Sequence, residues 1–164
     1  MRNVLKSALF VLLLASGNTY AEEWIYGEKV DEMRGVTNTW VSLPSENTVP
    51  LKFPYSPGSS LAIVVRNMPK KYGTDVYLLA EKGQLSCSLR DCHFFVKFDD
   101  GAVEKIPATR STGGSRDTLF LTDKATPGFI KKLKTAKKII VEVDFYKASS
   151  QQFRFEPAKP LVWK

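Results

Sequence analysis

The sequence predicts an all-β fold, an antiparallel β-sandwich with an open barrel as the alternative, carrying one short amphipathic helix near residues 127–137. Three observations lead there. From Trp24 onward the apolar residues recur mostly with a period of two, which puts alternate side chains on one face of a strand. Gly, Pro, Asn and Asp break the alternation at short intervals, as turns between antiparallel strands require. Only the stretch from Thr126 to Ala136 changes to helical spacing.

The first segment predicts an address rather than a part of the fold. Met1 to Ala21 has a basic start at Arg2 and Lys6, an apolar run from Ala8 to Ala15, and a small, polar end from Ser16 to Ala21. That order is a secretory signal peptide. The run is far short of the roughly 20 residues that span a bilayer. Cleavage after Ala21 leaves residues 22–164 as a single β-sandwich domain, and no Cys stands at the junction to take a lipid. The product is expected in a periplasm or outside the cell.

Strands are expected near 24–29, 36–43, 60–67, 74–81, 93–99, 103–107, 117–122, 138–146 and 151–156. Val36, Trp40 and the alternating Thr37, Thr39 and Val41 mark a half-buried strand. The Pro-rich stretch from Pro44 to Pro57 reads as one long connection, and Leu61-Ala62-Ile63-Val64-Val65 as a strand buried on both faces. Phe94, Val96 and Phe98 alternate towards a core, leaving His93, Phe95 and Lys97 on the other face. Asp99-Asp100-Gly101 is hairpin chemistry, with Gly101 expected to take the positive φ. Thr126 is the expected helix cap and Pro127 suits the first turn, with Phe129, Ile130, Leu133 and Ala136 on the buried side. In the next strand the apolar alternation favours Val141, Val143 and Phe145 inside over the register that buries Ile140. Lys147 to Ser150 closes the last hairpin.

Composition narrows the chemistry. The 164 residues are 43% apolar, with 24 Lys and Arg against 17 Asp and Glu, one His and two Cys, which excludes a disordered chain and a Cys-rich miniprotein. One His cannot build a multi-His metal site, and a His-based triad would have to centre on His93. In an oxidising compartment Cys87 and Cys92 most simply form a disulfide. Four residues separate them, where a thioredoxin-like motif has two.

Trp24-x-Tyr26, Gly83-Gln84-Leu85-Ser86-Cys87, Cys92, Phe98-Asp99-Asp100-Gly101, Leu119-Phe120-Leu121, Phe153-Arg154-Phe155 and Trp163 together resemble small exported bacterial and phage β-domain proteins with a Cys loop. A weaker similarity is to the invasion-associated locus B proteins, also exported and β-rich. The resemblance implies an exported β-sandwich of a Gram-negative cell or its phages and plasmids. It brings no catalytic motif.

The remaining constellations have plain explanations. Asp99 and Asp100 are neighbours on a turn, whereas a glycosidase sets two carboxylates facing a sugar from separate positions. Ser111-Thr112-Gly113-Gly114-Ser115-Arg116 lacks the Gly-Lys-Ser/Thr ending of a phosphate loop, although Arg110 and Arg116 beside it could attract an anion. Trp24, Tyr26, Trp40, Tyr55 and Trp163 suit stacking or docking, and most are expected in the core. Lys131, Lys132, Lys134 and Lys138 form a candidate surface for an anionic partner on and beside the helix. The expected function is therefore that of an exported, periplasmic, non-enzymatic binding protein acting on an envelope component or protein, of the inhibitor, immunity, exclusion or virulence-accessory type. No catalytic residue, cofactor, metal or nucleic-acid partner is expected, and no transmembrane segment after Ala21. The alternative is a cell-wall or surface-glycan hydrolase whose carboxylates the fold brings together.

Overall fold

The computed structural model describes residues 23–88 and 90–164, so the expected signal segment Met1–Ala21 lies outside the described residues. The described strands are β1 (Ile25–Asp31), β2 (Val36–Pro44), β3 (Val49–Pro50), β4 (Gly58–Ser59), β5 (Leu61–Met68), β6 (Gly73–Ala80), β7 (His93–Phe98), β8 (Val103–Arg110), β9 (Thr118–Leu121), β10 (Ile139–Phe145) and β11 (Ser149–Phe155). One helix, α1 (Thr126–Leu133), joins β9 to β10. Nine strands form one antiparallel sheet in the order β1-β2-β5-β6-β9-β8-β7-β10-β11, and β3 pairs with β4. The sheet does not close into a barrel; its two halves face each other as a sandwich.

The fold turns on β8. Val103–Pro107 pairs with β7, and Ala108–Arg110 pairs with β9, so one strand serves both halves. Pro107 stands at the changeover. It has no N–H to offer a ladder, and its carbonyl accepts instead from Thr122 N–H at 3.2 Å.

Period-two alternation packs the core between the halves. Val41, Leu43, Ile63, Val65, Val76, Leu78, Leu119 and Leu121 come from one half and Phe94, Val96, Phe98, Val141, Val143, Phe145, Phe153 and Phe155 from the other, all buried. The expected register of β10 holds, with Ile139 added to its inner row. Phe129 and Leu133 of α1 plug the end of the sandwich, where Phe129 meets Phe94 and Phe98 edge to face at centroid distances of 6.1 and 5.3 Å.

Four local expectations are corrected. The helix stops at Leu133 rather than 137, because Lys134 N–H closes on Ile130 O while Thr135 and Ala136 N–H both turn back to Lys132 O. Its N-cap is Ala125, and Thr126 sits inside the first turn with its hydroxyl donating to Thr122 O at 3.2 Å. The positive φ of the β7–β8 turn belongs to Asp99 (49°), and Gly101 is not among the positive-φ residues. The Pro44–Pro57 connection is not wholly irregular, since it holds β3 and leads into β4.

The far edge of the sheet is covered. Glu46 N–H donates to Arg154 O, and the Asn47 carboxamide accepts from Arg154 N–H at 2.7 Å while donating to Gln152 O at 3.0 Å. A side chain thus takes the place of a neighbouring strand's peptide on β11.

Candidate functional surface

Cys87 and Cys92 are joined as a disulfide, in a loop whose Cys87 carbonyl accepts from Arg110 Nη2 at 3.2 Å. Arg116 Nη1 reaches Gln84 Oε1 at 3.3 Å. Both arginines that could have attracted an anion therefore anchor the approach to the Cys loop. His93 lies against Asp91, with Nδ1 3.1 Å from the Asp91 carbonyl, and packs edge to face on Phe95. The donor beside them is Lys105, whose ammonium holds the Asp91 carboxyl below its ordinary range.

The helix lysines are exposed, yet only partly free. Lys132 pairs with Glu104 and lies 5.6 Å from the Phe98 ring centroid, and Lys138 stands 3.9 Å from Glu156. Lys131 sits in the last helical turn and Lys134 at the C-cap, both turned to solvent.

The aromatic expectation fails in an informative way. Of the five residues, Trp24 is buried, Tyr55 and Trp163 are half-buried, and Tyr26 and Trp40 are exposed. Tyr26 lies on the edge strand, where its hydroxyl accepts from Val162 N–H at 3.1 Å, and Trp24 Nε1 donates to Lys159 O at 3.1 Å. Both tie the C-terminal segment to β1. Trp40 faces outward because its neighbours Val41 and Leu43 take the inner positions of β2.

Trp40 leads to a surface that residue spacing alone did not reveal. Strand register sets the outward residues in rows across the half-sheet: Gly27, Trp40, Arg66 and Asp75 in one, then Ile25, Ser42, Val64, Tyr77 and Phe120 in the next. The indole packs against Gly27, where a Cβ would come within 2.4 Å of it, so a larger residue there requires the indole to move. Arg66 binds Asp75 with two hydrogen bonds, Nε to Oδ1 at 3.1 Å and Nη2 to Oδ2 at 2.5 Å. Its guanidinium carbon is 5.6, 5.2 and 5.6 Å from the ring centroids of Tyr72, Tyr77 and Phe120. Burial works against the charge, and Asp75 outweighs it, so the Arg66 pKa rises. Burial also pushes the Tyr77 phenol up.

These two rows are mainly apolar and aromatic around one ion pair, Arg66 with Asp75. Trp40, Leu79 and Ile25 remain accessible on this face, at 37%, 36% and 59%, while Val64 is buried beneath its neighbours. The expectation that β5 is covered on both faces is thus met at Val64, with Ala62 and Arg66 only half-buried. Residue types of this kind, Trp, Tyr and Arg, dominate the energetics of protein interfaces.

Asp31, Asp91 and Asp117 all have lowered pKa values, each through its own donors: Arg34, Lys105, and Ser115 with Thr118. Among the described residues no group of three or more His, Cys, Asp and Glu is placed to hold a metal ion, and no helix is long and apolar enough to cross a membrane. No family model, curated protein or solved structure matches the chain.

Proposed function

We propose that this chain is an exported, non-enzymatic binding module that takes a protein partner of the cell envelope on the outer face of β1, β2, β5, β6 and β9. The observation that carries the reading is Arg66, held by Asp75 and ringed by Tyr72, Tyr77 and Phe120 on a face with exposed Trp40 beside it. The pair fixes the guanidinium before a partner arrives, which lowers the ordering cost of association. Export rests on the character of Met1–Ala21, and the Cys87–Cys92 bond fits an oxidising compartment. Asp31, Asp91 and Asp117 are each held below the ordinary carboxylate range, the opposite of the raised value a general acid needs, and this favours the binding reading over a hydrolase.

Affinity capture of the tagged protein from envelope fractions, run in parallel with Trp40→Ser and Phe120→Ser, tests the proposal. A protein recovered with the wild type and lost from both variants, while their melting temperatures stay close to it, is the expected result. Identical recoveries from all three would remove the outer face from the account.

A further inference from the structure

At one end of the outer face two turns stand side by side. Residues 32–35 join β1 to β2, and residues 69–72 join β5 to β6; because β2 and β5 are antiparallel neighbours, the two turns project from the same end of the sheet. A hollow of about 350 Å³ between them is lined by Asp31, Arg34 and Val36 of the first hairpin and Met68, Lys70 and Lys71 of the second. Met33 at the tip of the first turn is 93% exposed, and Tyr72 at the end of the second is 55% exposed.

The charges at this end are unequally satisfied. Arg34 is held by Asp31 through a 2.9 Å ion pair, and Glu32 is the neighbouring acid. Lys70 and Lys71 form none of the ion pairs seen among the described residues, and Lys71 Nζ instead lies 4.8 Å from the centroid of the Tyr72 ring. An end of the sheet with an exposed thioether, a phenol and ammonium groups outside any ion pair is amphipathic over a very short distance. Lysine stems and tyrosine rings accommodate a boundary in which one side is apolar and the other wet. Free ammonium groups beside them complement a negatively charged surface.

We propose that the paired turns dock the protein on an anionic phospholipid surface. Met33 enters the headgroup layer, and Lys70 and Lys71 meet lipid phosphates, with Tyr72 at the boundary. The site shares Tyr72 with the ring around Arg66, but Met33, Lys70 and Lys71 lie outside that ring, so their substitution tests lipid docking without altering the partner face. A partner face beside a lipid-facing tip would let the domain hold a protein close to the membrane.

Vesicle co-sedimentation of the full chain tests this, with phosphatidylglycerol–phosphatidylcholine vesicles compared with phosphatidylcholine alone. Residues 1–21 are common to all variants, so their contribution cancels between them. The wild type is expected to prefer the anionic vesicles and to lose that preference in high salt. Lys70→Gln with Lys71→Gln should weaken anionic binding about thirtyfold. Met33→Ser should weaken binding in low and high salt alike. A triple Gln variant at Lys131, Lys132 and Lys134 should retain wild-type binding. No anionic preference in the wild type, or a preference untouched by the Lys70 and Lys71 changes, overturns the proposal. An equal or larger loss in the helix variant assigns the contact to α1 instead and equally overturns it.

Discussion

Two hydrogen bonds join Asp99 and Lys138, one through the main chain and one through the Asp99 side chain: Asp99 N–H donates to Lys138 O at 2.8 Å, and Lys138 N–H donates to Asp99 Oδ1 at 2.9 Å. The same carboxylate oxygen accepts from Lys137 N–H at 2.9 Å. A turn residue of the β7–β8 hairpin therefore receives the chain as it leaves α1 and feeds it into β10. Its φ of 49° lies in a region that Asp and Asn enter more readily than other side chains. Asp99→Asn, which keeps both the conformation and an accepting oxygen, should stay close to wild type. Asp99→Ala should lose about 1–2 kcal/mol, on the scale of a removed helix cap. Urea midpoints of the two variants decide it, and equal losses would show that the carboxylate does not hold this junction.

Gly27 and Trp40 make a second tight pair, with no space for a methyl group between them. Gly27→Val should drive the indole off β1 at a cost of about 1–3 kcal/mol. Tryptophan emission should shift towards the solvent-exposed wavelength along with the fall in melting temperature. An unchanged spectrum would mean that the indole does not rest on the Gly27 backbone.

Acid should weaken the fold in part through Asp117. Hydrogen bonds from the Ser115 hydroxyl, and from Thr118 Oγ1 at 2.7 Å, hold its pKa below the ordinary 3.8. A depressed native pKa adds stability that is complete above the unfolded value and disappears as pH falls through the native one. Asp117→Asn should therefore flatten the stability profile below about pH 4 and leave its slope near neutrality unaltered. Denaturant melts across that window measure the difference between the two profiles.

Phe94 is 1% exposed and meets Phe129 of the helix. Truncation to Ala should cost about 3–5 kcal/mol, the range for a large aromatic removed from a filled core. A loss below about 1 kcal/mol would contradict its central position.

The sandwich was legible because burial writes itself into the chain as alternation. Phe94, Val96 and Phe98 point inward as their spacing predicts, and so do Val141, Val143 and Phe145. Turn chemistry was legible in kind but not in position: the Asp-Asp-Gly sequence marks the hairpin, while hydrogen bonds from a segment nearly forty residues away explain why Asp99 takes the left-handed conformation. The outer surface was the least legible. Trp40, Arg66, Tyr77 and Phe120 lie on four strands, and only the register between those strands brings them together. The one usable signal was Arg66 following five apolar residues in β5, a charge that interrupts an apolar run.

Because β8 gives its first residues to one half of the sandwich and its last to the other, neither half retains a complete set of hydrogen bonds if the other opens. Melting should therefore be cooperative, with amides of β6 and β10 exchanging with solvent at the same free energy although they belong to opposite halves. Among the described residues β8 is thus a common stave of the two halves, and a load applied to either is expected to pass to both.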